Sequence, residues 1–505
     1  MAKVLPVRTR TVVSTFAAIV LLMLAPCAQA VYDPVFDSGF ETVPRYYVSA
    51  ALGSDANPGT LARPWKTINR AVHADNGAPA GSTVYVAAGT YNEQVVVARD
   101  KMRLIGYKAT PGDQPPILVN LAIDPATLDH GYAFDPADMP LLDGRDRTTG
   151  VGIEMSGRHG ITLKNFSIRN YAYGVTAGRV GDPDFIEGDL VDNVNISSIG
   201  NLDADYSGIG MWFGMIAPRK FSNGNRVTNS LIVNVGAEGL DIVGNGNEAN
   251  NVRVYGAEST NATDYYIIVW GNYNRVSNSY IWHKLGTPHW SHGYTVKDNA
   301  DQLAGGSRML SEHNVFENDV AVNMGESFAV RHRGVRYNTF INSTAYGPLG
   351  LPGGCGDDVG TDGSAIQIRD GARYNQFIGI KAYDTCRPLT ITESVEDEID
   401  DGMPHAPNQN VIDNLYSLHS GEAVYLSNSD HVSDAGDNII KNSQFLQVKW
   451  PFVINLPPGN LRFIDTDFDG DGSDPIFGWG TYQTELLQSQ FTGCTFTNFP
   501  LPNWW

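Results

Sequence analysis

Five short segments of this chain carry one strand phase: EGLDIVG (238–244), DYYIIVWG (264–271), SHGYTVKDN (291–299), FAVRHRG (328–334) and AIQIRDG (365–371). The last three alternate apolar and polar residues with the period of a β-strand, and the first two carry the same phase. Aligned on the central apolar residue, they bring Ile242, Val269, Val296, Val330 and Ile368 into register, with separations of 27, 27, 34 and 38 residues. Segments that recur at such intervals stack as turns of a solenoid. In a parallel β-helix successive strands lie about 4.8 Å apart, so residues of equal phase form columns along the axis.

In this register Tyr294 and Val296, Phe328 and Val330, and Ile366 and Ile368 point into a core. Lys297, Arg331 and Arg369 then share one strand position on the outer side, with Lys297 and Arg331 as first neighbours. Further turns are marked by NRVTNSLIVNV, NRVSNSYIWHK, RYNTFINS and RYNQFIGI, which share an N-x-φ-x-N form, φ being apolar. Asparagine at a corner adopts the left-handed conformation readily and bonds adjacent turns through its amide. Asn229, Asn278 and Asn342 are therefore assigned to structure.

The 505 residues carry a formal net charge of −20, a poor match to a nucleic-acid backbone. On such a background a cluster of cations points to a specific anion. Residues 1–30 combine a basic start (Lys3, Arg8, Arg10), an apolar run from Thr11 to Leu24 and the sequence Ala28-Gln29-Ala30, the pattern of a secretory signal peptide. The mature chain is expected to begin near Val31, outside the cytoplasm and without membrane attachment, because no later apolar stretch reaches the ~18 residues of a membrane helix. Residues 31–45 read as a leader, and 46–505 as a single solenoid domain, expected to be a monomer, with an N-terminal cap and a closing C-terminal segment. In an oxidising compartment Cys355 and Cys386, about one turn apart, are the expected disulfide, leaving Cys494 as a thiol.

The opening YYVSAALGSDANPGTLARPWKTINRAV, followed by GSTVYVAAGTYNEQVVV, resembles the start of secreted right-handed parallel β-helix proteins of the pectate-lyase superfamily. In that superfamily a GSD-x-NPGT loop, a PWKTI helix start and a VYV-x-x-GTY strand pair cap the solenoid. The resemblance implies an all-β, right-handed parallel β-helix, with Asp55 and Asn57 as turn formers, and implies nothing about chemistry. Segments 291–299 and 328–342 resemble the catalytic region of the β-helix polysaccharide lyases that include alginate lyases and chondroitinase B. There a lysine on one turn and an arginine in an RHG-like strand on the next flank the scissile sugar. The matching residues here are Lys297, in TVKDN, and Arg331, in AVRHRG. Trp290 and His292 stand where that family carries glutamates that hold calcium, so no calcium is assigned to the active site.

The chemistry agrees with the resemblance. Elimination from a uronate requires neutralisation of its carboxylate, a base for the C5 proton and a donor for the leaving oxygen. A lysine among arginines suits the base, since neighbouring positive charge and burial disfavour its protonated form. Arg331 and Arg369 can grip carboxylates bidentately. His292, His332, Arg333, Trp270 and Trp290 complete the expected substrate contacts. The expected function is therefore cleavage of an anionic polysaccharide, alginate first and pectate or a glycosaminoglycan next.

Two other classes stay open. Glycoside hydrolysis needs two carboxylates about 5–10 Å apart, with Asp241 and Asp264, or Asp370 and Glu393, as candidates. A non-catalytic glycan-binding solenoid would use exposed aromatics such as Trp270, Trp282 and Trp290. Near the C-terminus, DTDFDGDGSD (465–474) spaces Asp465, Asp467, Asp469 and Asp471 as in a calcium loop, without the glutamate that closes an EF-hand. A structural calcium ion is the one expected cofactor, and a solvated acidic turn the alternative.

Overall fold

Three short strands make each turn. The turn Arg226–Thr228, Leu231–Val235, Glu238–Val243 is followed by Glu248–Asn250, Arg253–Gly256, Tyr265–Trp270. Each strand pairs in parallel with its counterpart one turn on. The pattern continues to Thr495–Thr497, which makes the chain a parallel β-helix. The structure, a computed structural model, describes residues 43–120, 135–180, 184–201, 207–215, 220–256, 263–284, 291–298, 310–347, 363–393, 406–428, 434–472 and 486–499. From Pro44 onward the chain is one compact unit. Its first strand, Arg45–Val48, begins one residue before the boundary expected from the sequence. Among the described residues no helix is long and apolar enough to cross a membrane.

The N-terminal cap is built as its motifs require. Helix α1 (Ile68–Val72) is capped by Thr67, whose hydroxyl accepts from the Arg70 amide. The Asp55 carboxylate in turn accepts from the amides of Lys66 and Thr67, satisfying donors that a helix start leaves open. Gly59, at φ 77°, lies flat against the Trp65 ring, where a Cβ would collide.

Inside, a single apolar cluster runs from Val48 to Phe491. Its aromatics stack turn on turn, as in Phe316, Phe340 and Phe377, whose ring centroids lie 4.6 and 4.9 Å apart. At one corner the amides of Asn247, Asn274, Asn314, Asn338, Asn375, Asn410 and Asn438 form a buried ladder, each Nδ2 donating to the next Oδ1 over 2.8–3.0 Å. At another, Asn229, Asn251, Asn278, Asn318 and Asn342 take φ between 50° and 56°, the left-handed conformation expected of Asn229, Asn278 and Asn342.

The third strands of seven successive turns form one ladder: β1 (Ile209–Phe213), β2 (Glu238–Val243), β3 (Tyr265–Trp270), β4 (His292–Lys297), β5 (Glu326–Arg331), β6 (Ser364–Arg369) and β7 (Arg387–Glu393). The core-facing residues of β2–β6 pair as the sequence phase predicts: Ile242 with Val269, Val269 with Val296, Val296 with Val330, and Val330 with Ile368.

Candidate active site on the outer face of the ladder

The outer side of β2–β7 carries the column Val243, Trp270, Lys297, Arg331, Arg369, Thr392. Lys297 pairs with Arg331, and Arg331 with Arg369. Cations therefore stand on three adjacent rungs. They are not alike: Lys297 is half-buried, whereas Arg331 and Arg369 are only 3% and 8% exposed.

Strict alternation would put the start of each strand on the other face, and here the structure departs from it. Tyr266 and Ile267 both enter the core, while Tyr265, Ile268 and Trp270 form a separate apolar cluster with Val243 on the outer side. Two consecutive inward residues thus turn the strand's first position outward. The resulting second column, Glu238, Tyr265, His292, Glu326, Ser364, faces the cations across the site.

Glu326, 5% exposed, is the centre of this arrangement. Its carboxylate lies 2.9 Å from His292 Nδ1, 4.0 Å from Arg331 Nη1 and 3.8 Å from Arg369 Nη1. Burial pushes Glu326 up, but His292, Arg331 and Arg369 outweigh it and hold the carboxyl well below the usual carboxylate range. Arg331 Nη1 donates to the Tyr265 hydroxyl over 3.0 Å, two rungs away. The His292 ring stacks on Tyr265, with centroids 4.4 Å apart. The Lys297 ammonium sits over the rings of Tyr265 and Trp270, at 5.7 and 5.4 Å from their centroids.

Beyond the column, Asp298 and His332 pair through Nδ1 at 3.2 Å, and Asp370 binds Arg369 Nε at 2.9 Å. His332 follows Arg331 with φ 81°. Its Nε2 is buried and meets no hydrogen-bond partner. Arg333 is buried among the largest enclosed side chains of the molecule.

At the opposite end, β2 carries Glu238 and Asp241. Burial pushes Glu238 up to about 7 and Asp241 well above the usual range, each reinforced by a neighbouring carboxylate. Asp264, just before β3, is also raised by burial, opposed by His292 and Arg331.

Several expectations change. Trp270 is nearly enclosed, and Trp282 is not an exposed sugar platform: it lies on another ladder, packed with Val119, Tyr255 and Val322. Apolar surface of that size is more stable covered, here by Ile117, Leu118 and Val119. Trp290 and Cys355 lie outside the described residues. Cys386 is disulfide-bonded and Cys494 is free. The acidic segment near the C-terminus is a strand, Asp467–Gly470, rather than a loop. Asp465 turns the corner at φ 48°, the Asp471 amide rejoins the ladder at Val448, and the Asp467 and Asp469 carboxylates accept from Thr495 and Thr497 of the next turn. Among the described residues no group of three or more histidine, cysteine or acidic side chains is placed to hold a metal ion.

Residues 51–176 match the family described as a protein of unknown function (DUF1565). No curated protein matches. Similar solved structures include the A-module of the Azotobacter vinelandii mannuronan C-5 epimerase AlgE6, at 12% identity and TM-score 0.48 over 84% of this chain and 92% of that one. Another is an alginate lyase from Paenibacillus sp. str. FPU-7, at 12% identity and TM-score 0.39 over 75% and 99%. A rhamnogalacturonan lyase follows at 14% identity and TM-score 0.39, over 79% and 82%. At such identities the likeness is one of fold alone.

Proposed function

We propose that this protein is a secreted polysaccharide lyase that cleaves a uronate-containing polysaccharide, alginate first, by β-elimination. The observation that carries the reading is the column in which half-buried Lys297 stands rung to rung with buried Arg331 and Arg369. A structural face that merely solvates a repeat keeps its charges in water. Burying two guanidinium groups is costly unless carboxylates compensate them, and a substrate uronate is such a carboxylate beside Glu326. In this mechanism Arg331 draws charge from the uronate carboxylate, which acidifies C5, and Arg369 grips the carboxylate of the sugar in the neighbouring subsite. Lys297, held over the rings of Tyr265 and Trp270, removes the C5 proton. His292 fixes Glu326, and through it the two arginines. Secretion, a Cys355–Cys386 disulfide and a monomeric state belong to the same proposal.

A second reading, glycoside hydrolysis, draws on the carboxyl cluster of Glu238, Asp241 and Asp264. Incubation with alginate, pectate and glycosaminoglycans separates the two. Ultraviolet absorbance of an unsaturated sugar end is the expected result. Saturated products alone would replace the lyase with a hydrolase.

A further inference from the structure

The corner that follows the third strand of each turn carries a column of rings. Tyr273, three residues past Trp270, is followed on the next turns by His313, Tyr337 and Tyr374, all with φ of 58° or 59°. Their rings stack face to face, one per rung, with centroids 5.1, 5.3 and 5.0 Å apart. A bulky side chain takes that left-handed conformation at a cost, which stacking against neighbours offsets. Tyr273 ends the stack: one face lies on His313, and the residue is 66% exposed. On its other side the column continues with Gly246 and then Gly224, since Arg275 pairs with Glu248, and Glu248 with Arg226. Among the described residues no atom lies within 4 Å of where a Cβ on Gly246 would stand, whereas a Cβ on Gly224 would meet Ile186 Cγ2 at 2.7 Å. Ile186 is itself 62% exposed. Two exposed apolar side chains therefore flank one vacant rung, their own rungs about 9.6 Å apart along the axis. The opening holds one flat ring.

We propose that this rung is a sugar-binding slot, in which a pyranose ring of a polysaccharide lies over Gly246 between Tyr273 and Ile186. A pyranose has apolar C–H faces that stack on an aromatic ring and hydroxyl groups around its edge. The edge finds partners beside the slot. Two residues along from Gly224, Gly246 and Tyr273, on the same outward side, Arg226, Glu248 and Arg275 form a row. Arg226 Nε lies 3.2 Å from Glu248 Oε2, and Arg275 pairs with Glu317. Exposed ion pairs of this kind are held weakly, so these groups can turn to the hydroxyls of a ligand, or to its carboxylate where it has one. An aromatic side chain from a protein would fill the gap and leave the charged row unused. The slot lies on a corner beside the cation column, so it serves to hold a chain rather than to cut it. It requires no lyase chemistry.

The test uses the whole protein with Gly246→Tyr, Tyr273→Ala and, for comparison, Tyr337→Ala from the middle of the stack. Cellohexaose, which offers the cation column no carboxylate, reads the slot alone, and a mannuronate hexamer reads slot and column together. Saturation-transfer NMR and calorimetric titration measure binding, in a Lys297→Ala background for the uronate so that no probe is consumed. Gly246→Tyr extends the stack in a conformation that three tyrosines of the column already adopt, so it should keep or raise the melting temperature while weakening cellohexaose about tenfold or more. Tyr273→Ala should lose the same affinity with little change in melting. Tyr337→Ala should do the reverse, melting lower and binding as wild type. Wild-type affinity for both hexamers in Gly246→Tyr and Tyr273→Ala would overturn the slot, as would failure of the wild type to bind either hexamer. A change in self-association by sedimentation in Gly246→Tyr, with sugar binding intact, would assign the rung to a protein ring and overturn it too. Absence of unsaturated product from every polymer would remove the lyase and leave the slot standing on its binding data.

Discussion

The asparagine corner and the cation column are made by the same stacking, yet they obey opposite rules. Asn314 accepts from the amide and Nδ2 of Asn274 and donates its own amide and Nδ2 to Asn338 Oδ1. A neutral group with both donor and acceptor can therefore repeat without limit. A cation cannot: unit charges one rung apart repel by about 3 kcal/mol at an effective dielectric near 20. Arg331 and Arg369 stand on adjacent rungs with Glu326 and Asp370 among them. Columns of like residues thus carry the fold, and a column that needs unlike partners marks chemistry. Changes in the two should separate activity from stability.

The largest separation is expected for Lys297→Ala. Loss of the base should lower kcat/KM by about 1000-fold or more with the melting temperature almost unchanged, because the side chain lies outside the core. Arg331→Ala should be nearly as severe. Rates of unsaturated-product formation, set beside calorimetry, check both. An active Lys297→Ala enzyme would remove the base assignment.

Glu326→Ala should show the reverse balance, costing stability as well as activity. It strips a buried carboxylate from two guanidinium groups and His292, and breaking such a pair from one side costs about 3 kcal/mol, to be read by denaturant unfolding. Asn314→Ala should cost somewhat less, about 2 kcal/mol, as the donors of Asn274 lose their acceptor, while leaving KM untouched. An Asn314→Ala variant as stable as wild type would show that the ladder merely records the fold.

The turns and the column were legible because strand phase survives in single residues: Val269, Val296, Val330 and Ile368 announce the register without any knowledge of partners. The opposing column was not. Glu238, Tyr265 and Glu326 sit five residues before the column position, where simple alternation points them into the core, and only the paired inward residues at Tyr266 and Ile267 reverse that. The burial of Arg331 and Arg369 was equally hidden, since a cation pattern looks the same whether water or Glu326 faces it. In the acidic segment 465–471 a loop was expected, but Phe468 and Gly470 face inward and make it a strand. Spacing of aspartates alone does not distinguish metal ligands from the outer row of a β-ladder.

The smallest expected effect tests how far the site extends along the column. Arg369 lies one rung beyond Arg331, and its Nε is already engaged by Asp370, so less of its charge is available to a reacting uronate. Arg369→Ala should raise KM about tenfold, near 1.4 kcal/mol, and leave kcat within about twofold, as expected of a group that grips a neighbouring subsite. Initial rates on oligomers of increasing length sharpen the result. The penalty should vanish on oligomers too short to reach the Arg369 rung and appear in full once they do. An equal fall in kcat at every length would place Arg369 at the reacting sugar beside Arg331 and make the column one subsite rather than two.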